Sequence, residues 1–141
     1  MTGYRPLPAI DDLSEPFWEA TAAGTLALAR CSQCDTYTHP PDRVCSACGS
    51  LDPQFQFMPV SGRGVVRSWS VLRQSFLPGF DELVPFTLLD VELVEQPELR
   101  IIGRLLDDGT REPKLGDAVQ VQFEGLTPEV AVPAFTWAID A

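Results

Sequence analysis

The chain has few of the residues that do chemistry. It carries one histidine and four cysteines in 141 residues, and all four cysteines fall in two short pairs. No G-x-S-x-G elbow is present and no glycine-rich phosphate loop follows a strand, so the common nucleophile and nucleotide signatures are missing. Lys114 is the single lysine, acids outnumber bases 20 to 10, and the formal charge is -10. Nucleic-acid binding draws most of its affinity from Lys and Arg on phosphates, so this balance argues against a nucleic-acid partner. No apolar run approaches the roughly 20 residues of a membrane helix. The stretch Met1 to Ile10 lacks the basic region and long apolar run of a secretory signal. A cytoplasmic protein that neither spans a membrane nor catalyses alone is the expectation.

What is present is concentrated in the cysteines. Cys31-Ser-Gln-Cys34 and Cys45-Ser-Ala-Cys48 are two C-x2-C pairs separated by ten residues. Two such knuckles supply four thiolates to one soft divalent ion in a tetrahedron. Gly49, directly after the second knuckle, lets the backbone turn tightly around a sulfur. Two disulfides would need an oxidising compartment. Iron would use the same four ligands, and so stays open beside zinc. A site filled by four thiolates has no position for water or substrate, so a structural role is expected. His39 is surplus to such a site.

Three segments follow along the chain. Residues 1–24 form an N-terminal docking region. In it Ser14 suits a helix cap, Glu15 and Pro16 its first turn and Gly24 its end. Phe17 and Trp18 give this short helix a heavy aromatic end, to be docked on the chain's own body or on a partner. Residues 25–61 form the ribbon, with Thr25 to Arg30 entering the first knuckle and Phe55 to Val60 leaving the second. Residues 62–141 read as five short strands: Val65 to Gln74, Pro85 to Val94, Leu99 to Leu106, Ala118 to Glu124 and Phe135 to Ile139. Asp90 and Glu92 are expected to face Arg100 and Arg104 across a hairpin. Five antiparallel strands with a glycine (Gly103) at the centre suit a closed barrel of the OB type. The fold class is therefore mainly β: helix, rubredoxin-like zinc ribbon, five-stranded OB-fold barrel.

One local anomaly stands out in this acidic chain. Between Val60 and Phe80 there are three arginines, Arg63, Arg67 and Arg73, and no acid. Strand alternation puts Arg63, Arg67, Trp69 and Arg73 on one face. Such a face suits a phosphate and a stacked ring, a protein interface, or ordinary pairing with acids of neighbouring strands. The following loop, Ser75 to Pro85, is long and carries Phe76, Leu77, Phe80 and Leu83. Apolar residues on a long loop point to contact with an apolar ligand or a partner.

Taken in order, Phe17-Trp18-Glu19 and Gly24, the Cys31 and Val44-Cys45 knuckles with Gly49, Gly62-Arg63-Gly64-Val65-Val66, Pro85-Phe86, Leu89-Asp90-Val91 and Ile102-Gly103 form a recognisable series. It resembles the acyl-CoA-associated OB-fold family with an N-terminal rubredoxin-like zinc ribbon, catalogued as domain of unknown function thirty-five. The resemblance covers nearly the whole chain. It implies a non-catalytic subunit that forms a hetero-oligomer with a thiolase-fold enzyme, either a thiolase or a thiolase-like retro-aldolase acting on CoA-linked side chains such as those of sterols. It implies a contribution to that enzyme's acyl-CoA thioester site, and some members are fused to or partnered with MaoC-type enoyl-CoA hydratases. The family's zinc ligands fall on Cys31, Cys34, Cys45 and Cys48. Its acyl-CoA contacts have no residue signature to transfer, so Arg63, Arg67, Trp69, Arg73, Phe76 and Phe80 are candidates from the residues alone.

Overall fold

The structure, a computed structural model, describes residues 5–107 and 109–138. Helix α1 (Glu15–Ala22) starts at Ser14. The serine does not cap through its side chain. Its Oγ accepts the Asp11 N–H at 3.1 Å, while its own N–H donates to Asp11 Oδ1 at 2.8 Å. The Ser14 bonds hold the Asp11 carboxyl below its ordinary range. At the other end the Gly24 N–H bonds Thr21 O and the Thr25 N–H bonds Ala20 O, both near 3 Å, with Gly24 at φ 84°. This is the Schellman ending that a glycine past a helix favours. The helix docks on its own body. Phe17 is buried in the core, and the Thr21 hydroxyl donates to Ala131 O at 2.8 Å.

The ribbon sheet has the order β2 (Tyr37–Thr38), β1 (Ala27–Arg30), β3 (Gln56–Pro59). Leu26 and Leu28 join the hydrophobic cluster of the second sheet, so ribbon and barrel share one core. That second sheet closes on itself in the order β4 (Arg63–Leu72), β5 (Phe86–Leu93), β6 (Arg100–Leu105), β8 (Val130–Trp137), β7 (Ala118–Thr127). Inward residues alternate along β5, where they are Leu89, Val91 and Leu93. All pairs are antiparallel except β6 with β8, which meet in parallel at Arg104–Ala134 and Leu105–Phe135. Gly103 makes this meeting possible. A Cβ there would lie 2.9 Å from the Phe135 ring and 3.0 Å from Pro133 O.

The parallel β6–β8 pair replaces an expected antiparallel one, and three further details differ from the sequence expectation. The last strand runs Val130–Trp137 rather than from Phe135, and Ile139 lies outside the described residues. Pro133 sits inside this strand, opposite Phe123. It is tolerated because β8 pairs with β6 only from Ala134 onward, which leaves one side of Pro133 without a ladder to serve. Of the expected hairpin ion pairs, Asp90–Arg100 forms at 2.7 Å. Glu92 instead meets Arg67 at 3.0 Å and Arg104 meets Glu124 at 2.6 Å. The register explains this, because Arg104 stands level with Leu88 and not with an acid.

The third difference concerns the arginine strand. Val66 pairs with Val91 and Ser68 with Asp90, so Arg67 is an extra residue in a β-bulge. A bulge reverses the alternation beyond it. Trp69 then pairs with the buried Leu89 and turns to the opposite face from Arg63 and Val65. The expected common face of Arg63, Arg67, Trp69 and Arg73 is not formed.

Candidate functional site

The two knuckles are built alike. In each, the fifth residue returns its N–H to the first cysteine's carbonyl at 2.8 Å, from Asp35 to Cys31 and from Gly49 to Cys45. Both returning residues have positive φ, 62° at Asp35 and 79° at Gly49. The glycine signal was legible in the sequence, whereas its equivalent, Asp35, carries the rarer left-handed non-glycine conformation. A Gln33 N–H also points to Cys31 Sγ at 3.3 Å.

The turns bring all four Sγ atoms within 4.8 Å of one another. Cys31 lies 3.9 Å from Cys48, and Cys34 lies 3.7 Å from Cys45. Four thiolates at about 2.3 Å from a central zinc have sulfur–sulfur edges of about 3.8 Å, so the donor set fits a tetrahedral ion. The thiols are also divided electrostatically. Hydrogen bonds from the Thr36 side chain and backbone pull Cys34 down to about 7. At Cys48 the Ser50 N–H favours the thiolate, but burial and the three other sulfurs outweigh it and push the thiol up to about 11. Four like-charged sulfurs this close need a cation between them.

The other candidates lie in separate places. Arg63 borders a cavity of about 550 Å³ with Val94, Gln120 and Trp137. Arg67 is held by Glu92. Trp69 and Arg73 meet at the mouth of the barrel, lining about 440 Å³ with Arg111, Glu112 and Thr87. Phe76 is 92 % exposed on its loop. Phe80 is folded back, stacked 5.6 Å from Phe86. Phe17 is committed to the core, while Trp18 keeps an edge in a groove.

That groove was not legible in the sequence. It holds about 610 Å³ between α1, the His39-Pro40-Pro41 turn and the outer face of β6. It adjoins a second hollow of about 480 Å³, with which it shares Ile102 and Pro133. His39 packs 5.2 Å from Phe17, and burial keeps its imidazole below its ordinary pKa.

An N-terminal strap, Arg5 to Pro8, borders the second hollow. Arg5 stacks 5.1 Å over Phe80 and reaches Glu124 at 3.2 Å. Gly79 lies so close that any Cβ there would strike the Arg5 backbone. Burial works to raise the Glu124 pKa, but the bonds and charges of Arg104 and then Arg5 outweigh it and hold the carboxyl below its ordinary range. A depressed carboxyl stabilises above its unfolded pKa and loses that contribution as pH falls through its folded pKa. Glu124→Gln should therefore cost about 1 kcal/mol at pH 7, the half-buried pairs being partly screened by solvent. The gap in thermal stability between it and the wild type should close at acid pH, below the ordinary glutamate range. A gap unchanged at acid pH would show that the triad does not hold the strap.

Four convergent thiolates in a small ribbon, sharing a core with a closed five-stranded barrel, define a protein of the zinc-ribbon and OB-fold class. Family models match the same two units: residues 18–54 match the ChsH2 rubredoxin-like zinc ribbon domain and residues 58–124 match the ChsH2 C-terminal OB-fold domain. The chain belongs to this ChsH2 (DUF35) family. A solved chain described as Ltp2-ChsH2(DUF35) aldolase is 30 % identical, with a TM-score of 0.81, over 94 % of this chain and 99 % of that one. A Thermomonospora curvata protein described as a probable enoyl-CoA hydratase alpha subunit is 30 % identical over 96 % of this chain. This chain spans 40 % of that relative's length. Among the described residues, no helix is long and apolar enough to cross a membrane.

Proposed function

We propose that this chain is the non-catalytic accessory subunit of a thiolase-superfamily enzyme, which it stabilises and whose acyl-CoA entrance it helps to shape. The observation that carries this reading is the near end-to-end likeness to the chain of the Ltp2-ChsH2(DUF35) aldolase. The partner's reaction is then a thiolytic or retro-aldol cleavage of an acyl-CoA, sterol side chains included. The metal is zinc and its role is structural, since a four-thiolate set leaves no open position for a substrate. The metal holds the ribbon rigid against the barrel.

Trp69 and Arg73, with Arg111 beside them, are the candidates for contact with the CoA portion, because they are the part of the arginine strand that shares one cavity. Phe76 and Leu77 project from their loop toward whatever lies beside the barrel. Co-expression with the thiolase-superfamily protein of the same genome should yield a complex that survives gel filtration. Calorimetry with an acyl-CoA should then show binding to the complex, weakened about tenfold by Trp69→Ala with Arg73→Ala. A chain that stays monomeric beside that protein would refute the reading. The likeness to the hydratase alpha subunit favours a second one, partnership with a MaoC-type enoyl-CoA hydratase. Co-expression with each enzyme in turn distinguishes the two.

A further inference from the structure

On the accessory-subunit reading above, we infer that the groove over Ile102 is the seat of an uncharged apolar peptide segment from the thiolase-superfamily partner. Outward positions on a soluble barrel are ordinarily polar. Here three neighbouring strands present Leu88, Ile102 and Val132 outward, level with Arg104, Asp90 and Glu124 respectively. Ile102, in the middle, is 64 % exposed. It is flanked by α1 and the proline turn on one side and by the strap and the Phe80 loop on the other. A stretch of apolar surface with built walls marks a binding face.

Charge selects the occupant. Every ionic group bordering the two hollows already has a partner within the chain: Asp90 with Arg100, and Glu124 with both Arg104 and Arg5. A charged occupant would be desolvated with no counter-charge to meet, so a neutral apolar one fits. Two polar atoms buried just behind the walls, which a small turn of either side chain would bring to the occupant, then favour peptide over hydrocarbon. His39 Nδ1 and Arg100 Nε are buried without hydrogen-bond partners, and both residues line the groove. A peptide backbone offers both a donor and an acceptor, while an acyl chain offers neither. The barrel is closed, so the occupant docks by its side chains rather than by adding a strand.

The test is co-expression of the thiolase-superfamily subunit of the same genome with wild-type chain, Ile102→Glu, and Leu115→Glu as a surface control. Leu115 is 70 % exposed and borders neither hollow. Ile102→Glu should weaken assembly at least tenfold while keeping its zinc and its melting temperature, and Leu115→Glu should assemble like wild type. A photo-crosslinking residue at position 102 should join the chain to the partner. Failure of wild type to assemble would overturn the accessory reading and this seat with it. Normal assembly by a folded Ile102→Glu would overturn the seat alone. If Ile102→Glu does not fold, the crosslink decides: capture of the partner supports the seat, while capture of a second copy or an acyl-CoA overturns it.

Discussion

Removal of the metal should collapse the ribbon and lower the melting temperature by more than about 10 °C. Structural zinc contributes folding free energy outright, with apparent values of about 10–16 kcal/mol in isolated zinc-finger peptides. In this chain the effect should spread beyond the knuckles. Cys31 and Cys45 are buried, and Leu26 and Leu28, directly upstream of the first knuckle, belong to the barrel's own hydrophobic cluster. A ribbon that comes loose withdraws those leucines and exposes the core they cover. Cys31→Ser or treatment with a strong chelator should therefore release one zinc per chain, enhance dye binding to exposed apolar surface and abolish assembly with the proposed partner. Metal-free protein with an unchanged melting temperature would contradict this role.

The second large effect should come from Phe135→Ala. Phe135 is fully buried, takes part in the parallel pairing of β6 with β8, and rests against Gly103. Deleting a buried ring costs about 3–5 kcal/mol through lost transfer free energy and the cavity left behind. Glycine at 103 brings the β6 backbone close to β8, so little can move in to refill the space. Thermal unfolding should shift down by about 10 °C or more, with zinc content at 25 °C unchanged. A shift of only a few degrees would mean that the seam relaxes around the cavity.

The first effect rests on what the sequence showed clearly; the second rests on a parallel seam where the sequence pattern suggests an antiparallel one. Cysteine spacing depends on local chemistry, so Cys31, Cys34, Cys45 and Cys48 could be assigned as a ligand set without any tertiary information. Alternation on β5 and β6 likewise gave Leu89, Val91, Leu99 and Ile101 as inward residues, and all are buried. The arginine strand failed for a specific reason. One extra residue, Arg67, reverses the parity of everything after it, and its sequence surroundings, Val-Val-Arg-Ser-Trp, carry no glycine or proline to signal a bulge. The groove at Ile102 was hidden because it needs three strands, the helix and the proline turn together. Its members are scattered from Ser14 to Pro133, and none is unusual alone.

The seam between β6 and β8 has a consequence for how the barrel opens. Within the barrel every other strand pair but β4–β7, which has three, is held by five or more register partners, whereas this one has two. Motion should therefore concentrate there, and the barrel should unzip as a sheet rather than melt evenly. The Leu106 N–H, which bonds Phe135 O at 2.8 Å across the seam, should exchange with deuterium earlier than the amides of Leu89 or Val91. A partner lying over Ile102, two positions from that seam, would act as a clasp on it.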